Sequence, residues 1–509
     1  MSTESRTRKA LRNSVVTIVC QIVYLIASFV CRTVFTKILG AEYLGISGLF
    51  ANVLTILSFA ELGIGTTLIY RLYAPLANGD NEKVKQYVHL YKNIYRCIIC
   101  VILALGVSLI PFLDYLVEAP NVRENVTILY LLYLGQTLVT YVFVYKKSVL
   151  IADQKDYVVS LFTQAINIVM NVAQCVMLVV TRDFVTYCVI SIVCGLLNNI
   201  ISSIYVDKKY PFIKDPVAGK LSKDETSGLL KDAKGLLLTK IASTAFGGTD
   251  NIFISVYIGI KYVGILSNYT LLLVTVNTLM NKIFGSITAT IGNLAVGKDK
   301  QRTENVLERM FFLNTAIYGY CCIGMLVLLK EFVTRIWLSD EFILSDIVIA
   351  LALVELFFRG VHYPIYTVRN AMGFFSQYRF VFVLAALLNI LLDFILVKPM
   401  GLAGLFVATI FCRGITYVVD IFVVYHKGFQ SSVMAYFSMY FKWLVFLVAC
   451  YLCSINAVKL IACQGIPGFI LKAVVISFVY LAIFFIAYRK AENFHYYIDL
   501  FKKIKRRKI

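Results

Sequence analysis

Nine charged residues stand inside long apolar stretches of the sequence, where an ionisable group needs a partner or a wet surface. Burying such a group in hydrocarbon costs at least about 2.5 to 3.5 kcal/mol, so it normally faces water or an opposite charge. Arginine suits phosphate, because its planar guanidinium group donates two parallel hydrogen bonds. We interpret the three arginines and two lysines as candidates for binding an anion, and the four carboxylates as candidates for coupling or gating. The nine residues are Arg32, Glu61, Lys240, Asp250, Lys282, Glu355, Arg359, Arg413 and Asp420.

Several of these residues also have a purely structural interpretation. Glu355 and Arg359 are spaced i, i+4 and could neutralise each other on one helix face. Arg413 and Asp420 lie two turns apart and could pair helices. Lys282 could instead extend its amine to the inner membrane interface. The spacing leaves both interpretations open at these sites.

The composition is that of a polytopic, all-α membrane protein. Of 509 residues, 60% are hydrophobic and 15% are charged, and the mean hydropathy is +0.79. A hydrocarbon layer about 30 Å thick requires roughly 20 mostly apolar residues per helix. We therefore predict fourteen transmembrane helices, at residues 14–37, 44–70, 94–117, 126–149, 157–181, 184–206, 236–259, 262–292, 310–330, 342–368, 378–397, 401–425, 436–458 and 466–488.

The net charge of +20 reflects membrane topology and anionic lipid, and we expect no nucleic-acid partner. With a cytoplasmic N-terminus, most basic residues fall in inner loops, and by the positive-inside rule the C-terminus is also cytoplasmic. We expect no cleavable signal peptide, because the first apolar run is too long. The basic residues in the predicted outer loops are Lys37, Arg123, Arg182, Lys261, Lys330, Arg335, Lys398 and Lys459.

The cysteines and histidines do not indicate a metal or redox site. The 13 cysteines are scattered through apolar stretches, and the close pair Cys97 and Cys100 has no second pair or histidine cluster nearby. We interpret them as small buried side chains. Of the four histidines, only His362, beside Pro364 in a predicted span, has a position of interest. We expect no cofactor, and leave open coupling to protons, sodium ions or the membrane potential.

An internal repeat relates two halves of the chain. Residues 39–46, "LGAEYLGI", recur 219 positions later as 258–265, "IGIKYVGI". Leu-Ala-x-Gly recurs at 76–79 and 294–297, and "NIVMN" at 167–171 matches "NILLD" at 389–393. The glycines of the first motif predict a tight outer turn after spans 1 and 7. Six spans separate the copies, so we expect both halves to have one orientation, related by a pseudo-two-fold axis along the membrane normal.

Equivalent positions of the two halves carry opposite charges. Arg32 corresponds to Asp250, and Glu61 corresponds to Lys282. Such pairs could lock one state of an alternating-access cycle, since a desolvated ion pair that breaks in one conformation is a bistable element. Alternatively the match is a coincidence, and Asp250 and Glu61 carry a coupling proton or sodium ion.

The repeat predicts a two-lobed body with appended helices. The linker and the tail both contain apolar residues at helical spacing among lysines and arginines, which favours helices lying on an anionic inner leaflet. The predicted divisions are a first six-helix lobe at 1–206, a cytoplasmic linker at 207–235, a second six-helix lobe at 236–427, two further helices at 428–488 and a basic cytoplasmic tail at 489–509.

With this organisation, the chain resembles the polysaccharide flippases of the Wzx type, within the superfamily of multidrug, oligosaccharidyl-lipid and polysaccharide exporters. The resemblance covers essentially the whole chain and is carried by a diffuse pattern: the two repeated lobes plus two helices, and the stretches "FTKILGAEYLGISGLF", "ELGIGTTLIYRLYAPLANGDNEKVKQY" and "DNIFISVYIGIKYVGILSNY". It implies that an undecaprenyl-diphosphate-linked oligosaccharide is flipped to the outer leaflet of a bacterial cytoplasmic membrane. Arg32 then lies in a span similar to the cavity-lining helices of this superfamily. A polysaccharide polymerase and other assembly proteins are candidate partners.

Two other functions share parts of this pattern. An ion-coupled multidrug exporter of the same superfamily would have the same fold, although three intramembrane arginines suit an anionic lipid better than a cationic drug. A membrane glycan polymerase or ligase would need an organised outer site. The acidic outer residues Asp340 and Glu341 have no base, nucleophile or metal-binding pattern around them. We therefore expect a transporter and not an enzyme.

The topology can be tested with three reporter fusions. A reporter placed after Lys490 and one placed in the 207–234 loop should be cytoplasmic, whereas one near Asp340 should be outside, because the basic residues concentrate in the loops assigned to the inner face. Paired alkaline phosphatase and fluorescent protein fusions report each side. A reversed result at any of the three positions contradicts the arrangement of six, six and two spans.

Overall fold

The protein is an all-α membrane protein. A computed structural model describes residues 6–61, 64–117, 122–216, 219, 221, 225, 227, 248–296 and 300–507. Every regular element in these ranges is a helix, which confirms the predicted fold class. Eleven of the described helices are long and apolar enough to cross a membrane, and a bent helix pair raises the number to twelve. Half of the predicted seventh span, residues 236–247, lies outside the described residues, so the count of fourteen stays a prediction.

The chain forms two compact units, Met1–Gly264 and Ile265–Ile509. In the first unit, α8 packs against both α1 and α9, and α6 packs against α9. Its helices are α1 (Arg6–Leu39), α2 (Ala41–Leu57), α3 (Ile64–Asn78), α4 (Asn81–Ser108), α5 (Leu113–Leu116), α6 (Val126–Tyr141), α7 (Val144–Ala152), α8 (Asp156–Thr181), α9 (Phe184–Lys209), α10 (Asp250–Tyr257) and the first turn of α11 (Ile260–Val296).

In the second unit, α13 packs against α12 and α15, α14 packs against α15, and α16 packs against α17. Two of its helices end in π-helical segments, Phe332–Trp337 after α12 and Val423–Phe429 after α15. Besides the rest of α11, its helices are α12 (Lys300–Glu331), α13 (Asp346–Ala371), α14 (Phe375–Met400), α15 (Leu402–Phe422), α16 (Val433–Lys459), α17 (Gly465–Tyr488) and α18 (Glu492–Arg507).

Two predicted spans are not single helices. The span predicted at 44–70 is divided into α2 and α3, with the 3₁₀ turn Ser58–Glu61 at the end of α2. The Ser58 hydroxyl donates to the Leu54 carbonyl at 2.8 Å as α2 ends. The span predicted at 126–149 consists of α6 and α7, bent by 41°, and Phe143 at the bend has a left-handed φ of 61°. Apolar composition alone does not reveal such breaks, because the helices on both sides of each break contain many apolar residues.

The compact units do not divide where the sequence places its linker. The first unit extends to Gly264, because the chain after residue 250 packs against α2: Asn251 Nδ2 donates to the Gly48 carbonyl at 3.3 Å. The predicted helix of the 207–235 linker lies almost wholly outside the described residues. The predicted domain limits follow the repeat and stay predictions.

The basic tail forms the helix α18, as its apolar spacing predicts. It docks on α12 through Arg309, whose guanidinium carbon lies 3.9 Å from the centroid of the Tyr496 ring. The Tyr497 hydroxyl donates to the Arg309 carbonyl at 3.0 Å. The tail is therefore held by the protein itself, and its contact with an anionic leaflet stays a prediction.

The repeated motif forms two similar corners. Gly40 ends α1 before α2, and Gly259 lies between α10 and α11. Both have a left-handed backbone, with φ of 89° and 123° respectively, which glycine adopts without the cost that a Cβ atom would impose. The tight turn predicted at each copy of the motif is confirmed at both positions.

The second glycine of each motif lies against the opposite corner. A Cβ atom added to Gly45 would stand 2.1 Å from the Ile260 carbonyl oxygen, and one added to Gly264 would stand 1.8 Å from the Ala41 carbonyl oxygen. Ala41 and Ile260 are themselves equivalent residues, 219 positions apart. The two corners therefore touch reciprocally, backbone against backbone, and neither has room for a methyl group.

Gly264→Ala should destabilise this crossing. The new methyl group would collide with backbone, which yields less easily than a side chain, so we expect a cost of about 1 to 3 kcal/mol and a lower melting temperature of the purified protein in detergent. Gly324→Ala is the matched control, because Gly324 is also helical and has nothing within 4 Å of its virtual Cβ. Equal melting temperatures for the two variants would contradict the close contact.

Candidate functional site

A cluster of charged side chains joins α13 to α15 inside the second unit. Glu355 on α13 is 7% exposed, and its Oε1 receives hydrogen bonds from Arg359 Nη2 at 2.7 Å and from Arg359 Nε at 3.2 Å. Arg413 on α15 places its Nε 2.7 Å from the same oxygen. One carboxylate oxygen thus contacts two guanidinium groups from two helices.

A second carboxylate, Asp420 on α15, lies at the centre of a buried triad. Its side chain is fully buried. Arg369 on α13 donates from Nη1 to Asp420 Oδ1 at 2.7 Å, and His362 Nε2 lies 2.6 Å from Oδ2. Both carboxylate oxygens are therefore occupied, each by a residue of the neighbouring helix. Because the partners converge from α13, the triad also fixes the register of α13 against α15.

Aromatic side chains surround this triad. The His362 ring lies 5.1 Å from the Tyr417 ring, and the hydroxyls of Tyr417 and Tyr436 are 2.9 Å apart. The guanidinium group of Arg369 lies over the Tyr366 ring, 4.9 Å from its centroid. These rings border the triad, and Tyr366 adds a cation–π contact to Arg369.

Among the side chains in these contacts, arginines outnumber carboxylates by three to two. The charge is unevenly placed: the Arg369 side chain is 4% exposed, whereas the Arg413 side chain is 23% exposed and the Arg359 side chain 44% exposed. The triad around Asp420 is thus a buried connection between α13 and α15. At Glu355, the guanidinium groups of Arg359 and Arg413 are partly exposed.

The structure brings together four of the nine predicted site residues. Glu355 and Arg359 form the i, i+4 pair that the sequence suggested, and Arg413 and Asp420 make contacts between helices. These contacts give the four residues a structural role, and their role in binding or gating stays a prediction. Sequence reasoning missed Arg369, because the span was predicted to end at residue 368, whereas α13 continues to Ala371.

His362 was noted only for its position, and the structure gives it a charged partner. Its spacing to Arg369 is i, i+7, which places both residues on one face of a helix. That spacing, together with a longer predicted helix, could have indicated the triad. The partner itself, Asp420 on another helix, follows only from the tertiary structure.

Arg32 lies in an aromatic environment in the first unit. It is half-buried on α1 and interacts electrostatically with Tyr133 of α6 and Tyr187 of α9. The Tyr187 ring packs edge-on against Phe35, with 4.9 Å between centroids. Gln174 of α8 donates to the Tyr187 carbonyl at 3.2 Å and so ties α8 to α9 beside it. The position combines a cation with aromatic faces, which is a combination that sugar and phosphate ligands can use.

Of the remaining predicted residues, Glu61 and Asp250 also lie in the first unit. Glu61 was predicted inside a span but lies in the break after α2, where it accepts a hydrogen bond from the Tyr95 hydroxyl at 3.3 Å. Asp250 begins α10, a position where the helix dipole favours a carboxylate. Lys240 lies outside the described residues, and of Lys282 only the backbone, within α11, is described. The opposite-charge pairing of equivalent positions therefore stays a prediction.

The fold is similar to that of solved flippases and exporters. A structure of the lipid II flippase MurJ in an inward closed conformation has a TM-score of 0.67 and 15% identity, over 93% of this chain and 99% of that chain. An inward-facing MATE family multidrug resistance transporter of the MOP superfamily has a TM-score of 0.59 and 12% identity, over 81% and 96%. The Vibrio cholerae MATE transporter VcmN has a TM-score of 0.56 and 14% identity, over 84% and 98%.

The many apolar helices define a multi-pass membrane protein, and its fold is the one found in these flippases and exporters. Residues 10–290, more than half of the chain, match the model of the family described as polysaccharide biosynthesis protein, and the chain belongs to that family. The resemblance to polysaccharide flippases drawn from the sequence is thereby confirmed. No curated protein matches the sequence.

Asp420→Asn should destabilise the protein strongly. The substitution leaves Arg369 buried without its counter-charge, and breaking a buried pair from one side costs about 3 to 5 kcal/mol. The double variant Asp420→Leu with Arg369→Met removes both charges and should recover most of the loss. Melting temperatures of the purified variants measure both effects. A double variant as unstable as Asp420→Asn would contradict the ion pair as the source of the loss.

Proposed function

We propose that the protein is a flippase that moves an undecaprenyl-diphosphate-linked oligosaccharide from the inner to the outer leaflet of a bacterial cytoplasmic membrane. The observation that supports this most directly is the pair of arginines that meet the single carboxylate of Glu355 between α13 and α15, with Arg359 accessible. A charge in hydrocarbon is costly, and a merely structural cluster would be expected to balance its charges. An excess of guanidinium over carboxylate suits a ligand that brings negative charge.

Diphosphate chemistry fits the arrangement around Glu355. A guanidinium group has five N–H donors, and phosphate oxygens accept two of them in parallel. Glu355 engages Arg359 through one oxygen and so orients it while leaving other donors of Arg359 for a ligand. The carboxylate thereby preorganises the arginine, which lowers the entropy lost on binding. Arg32, Lys240 and Lys282 are proposed as further cationic contacts.

Transport by alternating access is part of the same proposal, with no covalent chemistry. The described residues include no group of three or more His, Cys, Asp or Glu side chains that could hold a metal ion. A polymerase or ligase would have to bring a base or nucleophile to the glycan, and the polar residues of the α13–α15 cluster are instead bound to one another. The accessible charged group of the cluster is the guanidinium of Arg359, which suits an anion better than a cationic drug.

Export in a deletion strain tests the proposal. Cells that lack the protein should accumulate lipid-linked repeat units on the cytoplasmic side, because the units are made there and cannot cross. Arg359→Ala and Arg32→Ala should each abolish polymer export at normal protein level, and the Lys variants should restore it only partly, since an ammonium group lacks the bidentate fork. Surface polymer, and the accessibility of lipid-linked sugar to an external lectin, are the measurements.

Arg489→Ala is the matched control, because Arg489 is exposed and follows α17 outside the cluster. It should export normally. Reversing both charges of the predicted pair, with Arg32→Asp and Asp250→Arg, separates two roles: recovered export indicates a gating pair, and continued loss indicates contact with the anionic substrate. Accumulation of repeat units on the outer face would contradict a flippase, and full export by Arg359→Ala would contradict its role in binding.

A further inference from the structure

An open pocket lies beside the two helices that the repeat leaves unexplained. Its volume is about 570 Å³, and it is framed by the π-helical end of α12 and by the loop between α16 and α17. Its lining includes the polar and charged residues Glu331, Arg335, Gln464 and Lys472 and the apolar residues Ile461 and Ile466. We call it the loop pocket.

The walls of the loop pocket are fixed by contacts between α12 and α17. Lys472 of α17 donates to both carboxylate oxygens of Glu331, at 2.9 and 2.8 Å. Behind this pair, the rings of Phe332 and Phe469 lie 5.8 Å apart. An ion pair and an aromatic contact thus hold the two helices together, so the pocket is preformed.

The charge of the loop pocket is positive. The pair of Glu331 and Lys472 is internally balanced, with both side chains largely buried, at 20% and 16% exposure. Arg335 has no ion-pair partner among the described residues, and it is exposed at the pocket. The π-helical turn that carries Arg335 places it one turn beyond Glu331, on the side of the loop. The pocket therefore offers one uncompensated guanidinium group next to aliphatic side chains.

We propose that the loop pocket binds the phosphate group of an anionic lipid, with Arg335 as its donor. The volume falls within the roughly 300 to 1,000 Å³ typical of small-molecule sites, and a guanidinium group matches phosphate oxygens. The two isoleucines supply an apolar side for the first carbons of a lipid, whereas a free sugar would leave them uncovered. The phosphate can belong to a polyprenyl diphosphate or to a bulk phospholipid.

The inference is independent of the proposed flippase function. None of the pocket residues belongs to the α13–α15 cluster, and a lipid phosphate can bind here whatever the cluster carries. It gives α16 and α17, which have no counterpart in the repeat, a role in holding lipid. A failed export assay and a failed test of the loop pocket are therefore separate results.

Cys463 provides a direct measurement, because it is exposed and lines the pocket. In a full-length variant in which the other exposed cysteines, Cys97, Cys100 and Cys453, are serine, a hydrophilic maleimide should label Cys463 rapidly in phosphatidylcholine nanodiscs. Bound phosphate should protect it. When the phosphate ligand is present at ten times its dissociation constant, mass action predicts that Cys463 is labelled about tenfold more slowly.

Two additions distinguish the source of the phosphate. Inorganic diphosphate tests recognition of the soluble group, with sodium chloride at equal ionic strength as its reference. Nanodiscs that contain phosphatidylglycerol test recognition of a bulk lipid. Protection by either addition supports the site, provided that Arg335→Gln abolishes it. Glu331→Gln should have the opposite effect, because it removes the only carboxylate of the lining. Cys463 should then be protected at a lower concentration of the added diphosphate or anionic lipid.

A cysteine outside the pocket is the control for general effects of anions. Leu460 is 86% exposed in the same loop and does not line the pocket, so Leu460→Cys combined with Cys463→Ser should be labelled at one rate under all conditions. The proposal is overturned if neither addition slows the labelling of Cys463, or if protection survives Arg335→Gln. Arg335 is exposed, so its substitution should leave the melting temperature unchanged, which confirms that the variant is folded.

Discussion

The high cost of a charge in hydrocarbon governs the second unit of this protein. Every described ionisable group of the α13–α15 cluster has an opposite charge or a polar partner within hydrogen-bonding distance. Because the partners of Arg413 and Asp420 lie on the neighbouring helix, these ion pairs also constrain how α13 packs against α15. A shift of α13 by one turn would separate Arg369 from Asp420 and leave both charges buried without each other.

The two carboxylates show how one constraint yields two kinds of site. Asp420 is fully buried and meets one arginine and one histidine, whereas Glu355 shares a single oxygen between two arginines. The first arrangement is balanced and rigid. The second places two arginines on one carboxylate oxygen, and the Arg359 side chain is 44% exposed. The buried triad thus connects α13 to α15, whereas the group around Glu355 is the more accessible of the two.

The sequence predicted what depends on composition and local spacing. The all-α class, the turns at Gly40 and Gly259 and the pairing of Glu355 with Arg359 all follow from residues close together in the chain. The break after α2 and the partners of Arg413 and Asp420 do not, because they depend on which helices become neighbours. The prediction missed Arg369 because it ended the span a few residues too early. A hydrophobicity pattern fades where charged residues begin, although the backbone remains helical.

The contact of the two glycine corners has the form of an isologous interface, in which the same patch meets itself. Gly45 faces Ile260, and its counterpart Gly264 faces Ala41. In a dimer of identical chains, a single substitution in such a patch is present on both sides of the interface. Here the two copies belong to one chain, so each can vary alone. Yet the space for a side chain at one corner is set by the backbone of the other corner. The two glycine positions therefore constrain each other's evolution.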